Sequence, residues 1–156
     1  QALARYILDE PALVAGRRVL DLASGSGLDA IAAMKAGARS ALAADIDGFA
    51  SAAAELNAAA NDVSVAVTER DFLAAAISAD CDVLLVGDLF YEKPLAERAL
   101  EFLRAAHDRG AQVLVGDPGR TYFPREAFAE VARYRVPVTR ELEDSEIKLT
   151  RVWRLA

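Results

Sequence analysis

The 156-residue chain has one cysteine, Cys81, and one histidine, His107. A lone cysteine makes no internal disulfide, and one thiol with one imidazole falls short of a structural zinc site. A secreted disulfide scaffold, a zinc enzyme and a cysteine–histidine protease are thereby set aside, and no metal is expected. Excess positive charge is also missing. Lys and Arg number 18 against 24 Asp and Glu, a formal net charge of −6, and the sequence pI is near 4.8. Broad binding to nucleic acid or to an anionic membrane needs a basic face, so neither partner is expected. No charge-free apolar run approaches the roughly 18 residues of a membrane span. No signal-peptide pattern is present either, and a cytoplasmic location is expected. The chain starts at Gln1 rather than Met, and residues before it are expected.

Small apolar residues are abundant. Hydrophobic residues make up 54%, with alanine the commonest, and charged residues make up 27%. That balance suits close helix–sheet packing and argues against disorder. No linker, repeat or low-complexity tract interrupts the chain, so residues 1–156 are expected to form a single domain.

Apolar runs alternate with helical patterns, which predicts a mostly parallel sheet with helices on both faces. Strands are expected at Arg18–Leu22, Ser40–Ala44, Val63–Val67, Val83–Val86 and Val113–Val115. The continuous apolar runs of the last two suit strands covered on both sides. Helices are expected near Ala2–Leu8, Ala30–Ala36, Phe49–Ala60, Leu95–His107 and Arg125–Ala132, with Asp47 a good N-cap for the third. Tyr134–Val138 and Lys148–Trp153 read as a closing hairpin across the charged stretch Glu141–Glu146, with Pro137 at a sheet edge.

The chemically informative segment runs Val19-Leu20-Asp21-Leu22-Ala23-Ser24-Gly25-Ser26-Gly27-Leu28-Asp29-Ala30. It joins a strand to a helix through two glycines, which allow a tight turn and a close ligand. Asp45 follows Gly25 by 20 residues, where an acid can accept from ribose hydroxyls. Gly25, Gly27 and Ala30 also satisfy a dinucleotide fingerprint, so a nicotinamide site fits the pattern. Charge favours a different ligand. Asp21 beside a pyrophosphate would put two negative charges about 4 Å apart, a repulsion of roughly 4 kcal/mol at an effective dielectric of 20. S-adenosylmethionine has no phosphate and carries a sulfonium and an ammonium. Asp71, after the third strand, is placed to accept from an adenine amino group. The structural alternative is that Asp21 and Asp71 only cap turns.

The order of Val19–Gly27, Asp45-Ile46-Asp47 and Asp71 resembles the class I S-adenosylmethionine-dependent methyltransferases over nearly the whole chain. The resemblance implies a seven-stranded Rossmann-like sheet whose last strand is antiparallel. It also implies that Asp21, Ser24, Gly25, Gly27, Asp45, Ile46, Asp71 and Phe72 hold the methyl donor. A narrower resemblance rests on Gln1–Tyr6, on Gly87-Asp88-Leu89-Phe90-Tyr91 and on Gly116-Asp117-Pro118-Gly119-Arg120. These look like the lysine methyltransferases of the electron transfer flavoprotein β subunit and their bacterial relatives. That likeness implies a protein substrate, the electron transfer flavoprotein β subunit, and a front segment before Gln1 that adds to the cofactor and substrate surface.

Methyl transfer to an amine needs an acceptor without its extra proton and a group that orients it. The resemblance places Asp88 and Tyr91 in that catalytic role and Phe90, Asp117 and Arg120 on the substrate side, Arg120 facing an acidic protein surface. Each has a plainer reading: Asp88 as an N-cap, Tyr91 as packing, Asp117–Arg120 as a turn that only reverses the chain. Cys81 and Trp153 read as packing, and His107 as a cation at a helix C-terminus. A small-molecule N-methyltransferase, an NAD-dependent oxidoreductase and a non-catalytic binding module remain as alternative functions.

Overall fold

Short apolar runs form the centre of the molecule. The computed structural model of the chain describes residues 1–74, 80–137 and 147–156. Strands β1 (Arg18–Leu22), β4 (Val83–Gly87) and β5 (Gln112–Asp117) lie side by side and parallel. Leu20 stands opposite Leu84, and Leu84 opposite Val113. On the far side of β1 come β2 (Ser40–Ala44) and the short β3 (Ala66–Thr68), also parallel. Beyond β5 lie β7 (Ile147–Leu155) and, at the edge, β6 (Phe128–Pro137). The order is β3-β2-β1-β4-β5-β7-β6, with β7 antiparallel to both neighbours. The expected seven-stranded sheet with an antiparallel last strand is therefore present.

Alternation along the strands builds two cores. Val19, Val83, Leu85 and Leu114 point to one face, where α1 (Ala2–Asp9), α2 (Leu28–Lys35) and Ala54 of α3 (Gly48–Ala60) cover them. Leu20, Leu22, Leu84, Val86, Val113 and Val115 point to the other, under α4 (Lys93–Asp108). Alanine is dense where helix meets sheet: Ala30, Ala33, Ala54, Ala99 and Ala106 are fully buried. Each fully buried leucine or valine contributes about 1.5–3 kcal/mol by leaving water. None of the helices among the described residues is long and apolar enough to cross a membrane.

Two expectations change. Arg125–Ala132 is not a helix: Arg125–Ala127 makes a single 3-10 turn, and Phe128 already begins β6. Alanine, glutamate and arginine there favour a helix locally, but pairing with β7 from Phe128 opposite Leu155 onward overrides that preference. A register shift between Glu130 and Ala132 interrupts the ladder, which hides the strand's alternation in the sequence. The third strand is also displaced, to Ala66–Thr68 rather than Val63–Val67. Pro137 does end an edge strand. The stretch Glu141–Glu146 and the far end of the expected strand at Val138 lie outside the described residues. Trp153 packs against Phe123 with ring centres 5.1 Å apart, and is core as expected. His107 falls in the last turn of α4. Burial pushes the Cys81 thiol up to about 11, which makes it a poor nucleophile.

Candidate active site

In an open parallel sheet ligands gather beyond the carboxyl ends of the strands. The glycine loop stands there, between β1 and α2. Its first helical turn needs partners for its free N–H groups. Gly27, the N-cap, has no side chain to supply one and sits at φ +77°. Asp21 supplies it instead from β1, its carboxylate accepting from Ala30 N at 3.0 Å. The loop is pinned at three more points. Gly25 N donates to Asp45 Oδ2 at 2.9 Å, Ser24 N donates to Ala44 O, and Asn57 Nδ2 of α3 donates to Ser26 O.

The two glycines serve different needs. A Cβ at Gly27 would come 2.9 Å from Ala54 Cβ, so that glycine admits α3 against the loop. A Cβ at Gly25 would meet nothing within 4 Å, and its backbone at φ +52° borders open space. Gly25 is therefore the position where a ligand can approach the chain closely.

A cleft of about 420 Å³ opens beside this loop. The structure brings Asp45, Ile46, Asp71, Phe72, Asp88 and Tyr91 to its wall. Asp45 uses both oxygens on backbone, Oδ1 accepting from Asp47 N at 3.1 Å. Asp71 accepts from Leu73 N and Ala74 N, so it caps a turn and lines the cleft at once. Tyr91 stands at the lip, 52% exposed. Arg70 and Leu73, which flank Asp71 and Phe72 in sequence, and Leu95 and Arg98 of α4 also line it and were not foreseen.

The remaining expected residues lie elsewhere. Asp21 is 1% exposed and beneath the loop, and burial pushes its carboxyl well above the ordinary range, with neighbouring Asp29 adding to the effect. It lies under the loop and does not line the cleft, so it is not placed to face a ligand directly. Ser24, Gly25 and Gly27 build the loop without lining the cleft. Phe90 is fully buried, edge-on to Phe123 at 5.1 Å and to Phe128 at 6.4 Å. That corrects its expected contact with substrate: it is the hub of an aromatic core behind Asp88. Asp117 is 2% exposed, and its Oδ1 accepts from Gly119 N and Arg120 N. It shapes a turn and does not line the cleft.

Arg120 points inward. Its Nε and Nη2 donate to Asp88 Oδ1 and Oδ2 at 2.5 and 2.6 Å, a two-pronged ion pair across the ends of β4 and β5. Asp88 itself sits at φ +53°, a left-handed conformation that costs a non-glycine residue roughly 1–2 kcal/mol. Its N–H donates to Gly116 O, which holds it there. Gly87 and Asp88 also border a second cavity of about 220 Å³, shared with Gln1, Asp29, Gly116 and Thr150. Asp29 was not foreseen as part of this region. Burial pushes its carboxyl up as well, and the only sequence signal was an acid in the first turn of α2. Among the described residues, no cluster of three or more His, Cys, Asp or Glu side chains could hold a metal ion.

A glycine loop over one cleft and an acid at the end of β4 invite comparison with known proteins. The electron transfer flavoprotein beta subunit lysine methyltransferase of Danio rerio is 36% identical over 159 residues, covering 99% of this chain and 62% of that protein. The chain thus spans about three-fifths of that relative's length. The structure of ribosomal protein L11 methylase from Lactobacillus delbrueckii subsp. bulgaricus superposes with a TM-score of 0.63 at 26% identity, covering 99% of this chain and 78% of that one. Magnesium protoporphyrin IX methyltransferase from Synechocystis PCC 6803, solved with SAM bound, shares the fold at a TM-score of 0.67 and 15% identity, over 99% of this chain and 76% of that one. The family model for ribosomal protein L11 methyltransferase (PrmA) matches residues 2–89, from α1 through the glycine loop to Asp88 and Leu89. With more than half of its length inside that match, the chain belongs to the ribosomal protein L11 methyltransferase (PrmA) family.

Proposed function

We propose that the protein transfers a methyl group from S-adenosylmethionine to a lysine amine of a protein substrate, the electron transfer flavoprotein β subunit. The observation that carries the reading is the position of Asp88: on the wall of the cleft beside the glycine loop, with its carboxylate half exposed. The relatives named as lysine methyltransferases of that subunit support the choice of substrate.

The residues present fit the donor. Ile46, Phe72 and Leu95 offer apolar surface for a flat base. Asp45 keeps lone pairs for ribose hydroxyls after accepting from Gly25 and Asp47. Asp71 on the same wall can accept from an adenine amino group. Gly25 borders the open space that the donor's methionine end would use. When bound, the donor supplies an electrophilic methyl group.

The chain's own part is to orient and hold. An amine hydrogen donates to the Asp88 carboxylate, which aims the nitrogen lone pair into the cleft. The Tyr91 hydroxyl stands three residues on, at the same lip, to receive or give a second hydrogen bond. Once the amine carries its new methyl group and positive charge, Asp88 stabilises that cation. The surrounding Leu22, Leu89 and Leu95 keep bulk water from the amine.

Two measurements test the reading. Calorimetry with S-adenosylhomocysteine and with NAD should show binding of the first and none of the second. Radiolabelled methyl transfer in a lysate of a strain lacking the enzyme should label protein rather than small amines. Label confined to small amines would replace the protein substrate with a small-molecule one. Donor binding without any transfer would make the chain a binding module.

A further inference from the structure

We propose that Arg120 is a positioning residue that neutralises Asp88, so that a bound acceptor amine is oriented without being held in its protonated, unreactive form. The inference rests on the reading of the cleft given above and deepens it.

The chemistry sets a conflict. A carboxylate is a good orienting partner for an amine. Unopposed, it also stabilises the ammonium and raises the amine's pKa. Only the free amine has the lone pair that attacks. A carboxylate already paired with a guanidinium keeps its hydrogen-bonding capacity but projects much less negative field. An ionised carboxylate has about four lone-pair sites, and the two-pronged contact with Arg120 leaves room for an amine hydrogen.

The geometry holds that pairing in place. Asp117 accepts from both Gly119 N and Arg120 N, at 2.7 and 3.0 Å, which sets the direction in which Arg120 leaves the chain. Asp88 N donates to Gly116 O at 2.9 Å, which ties the two loops together. The pair is 38% exposed on the Arg120 side and 48% on the Asp88 side, so an incoming amine can reach the carboxylate. A guanidinium remains charged throughout the working pH range.

The other charged groups around Asp88 make Arg120 the relevant cation. Tyr91 and Glu92 lie on its own loop, Asp45, Arg70, Asp71 and Arg98 line the same cleft, and Asp29 with Gln1 borders the second cavity. Asp117 stands behind the β5 turn. Burial pushes the carboxyls of Asp29 and Asp117 up, and the acids on the cleft wall outnumber Arg70 and Arg98. Without Arg120 the acceptor would sit in a net negative field.

The test compares wild type with Arg120→Gln and Arg120→Lys, using a lysine peptide or the electron transfer flavoprotein β subunit as acceptor. S-adenosylhomocysteine binding checks that each variant is folded. The pH dependence of kcat reports ionisations in the bound complex. Arg120→Gln should move the acidic limb of kcat upward by about one pH unit, discounted from a buried pair because this one is half exposed. Its KM should fall or stay level while kcat at neutral pH drops. Arg120→Lys should restore most of the profile, and a less basic acceptor, such as a thialysine peptide, should restore the Gln variant's rate at neutral pH. A Gln variant whose kcat falls with an unmoved acidic limb and no thialysine rescue would overturn the inference while leaving the methyltransferase reading intact. A wild type that binds S-adenosylhomocysteine and methylates no amine at any pH would overturn both.

Discussion

Arg18 enters the sheet at the start of β1, where Asp82 and Asp80 hold it: Nη2 reaches Asp82 Oδ1 at 2.9 Å and Nη1 reaches Asp80 Oδ1 at 2.7 Å. Asp82 Oδ2 also accepts from Arg18 N at 2.7 Å. Three residues further on, Asp21 is buried under the glycine loop, next to another buried acid. The two ends of the parallel strands therefore treat aspartate in opposite ways. At the amino end the Arg18 hydrogen bonds hold the Asp82 carboxyl down to about 2. At the carboxyl end burial pushes Asp21, Asp29 and Asp117 up. Asp29 Oδ1 and Asp117 Oδ2 find no hydrogen-bond partner among the described residues, and Ala23 and Asp88 take left-handed backbone. Polar groups at one end are matched to each other. Those at the other end are buried or strained around the candidate cleft, the pattern expected where function is set against stability.

The largest effect separating the two ends is expected at Asp88. Asp88→Asn should lower kcat for amine methylation by about 100-fold or more while S-adenosylhomocysteine binding stays within about twofold, since an oriented acid or base typically contributes 10²–10⁴. Parallel rate and binding measurements check this. A methyl group at Gly27 acts on the fold rather than on the chemistry. Gly27→Ala, with its Cβ 2.9 Å from Ala54, is expected to cost about 1–3 kcal/mol of stability by overpacking, read from denaturant unfolding. Asp45→Ala removes the acceptor for Gly25 N and Asp47 N. It should weaken S-adenosylhomocysteine binding about tenfold, or about 1.4 kcal/mol, as measured by calorimetry.

The smallest effects are pH effects of opposite sign. An unfolded aspartate titrates near about 3.9. The folded Asp82 lies below that, so its contribution is present above about pH 4 and is lost as pH falls through about 2. Asp21 and Asp29 lie above it, so the folded state binds more protons and stability declines as pH rises from about 4 through their folded values. Melting temperatures should show Asp82→Asn flattening the acid side and Asp21→Asn flattening the decline above about pH 4. The same slope in wild type and both variants would remove the distinction between the two ends.

Much of this was legible in the sequence for physical reasons. Continuous apolar runs such as Val83–Val86 have one stable use, as strands covered on both faces, and the two glycines after Leu20-Asp21-Leu22 mark a strand-to-helix turn. Asp45 was legible by its distance from Gly25. What escaped depended on tertiary contacts. Asp21 is visible as an acid, but its burial is decided by how α2 seats on β1. Phe128–Ala132 has a helix-forming composition, and only pairing with β7 makes it a strand. The contact of Asp88 with Arg120 joins residues 32 positions apart through the adjacency of β4 and β5, which no local pattern records. Phe90 lies between two site-like neighbours, yet its side chain turns into the core.

The most direct test uses the purified chain, S-adenosylmethionine labelled in its methyl group, and purified electron transfer flavoprotein β subunit, with the product digested and its lysines identified by mass spectrometry. The account expects label on a lysine side chain of that subunit, strongly reduced with Asp88→Asn at saturating donor. A chain that binds S-adenosylhomocysteine yet leaves every lysine of the subunit unlabelled would contradict it.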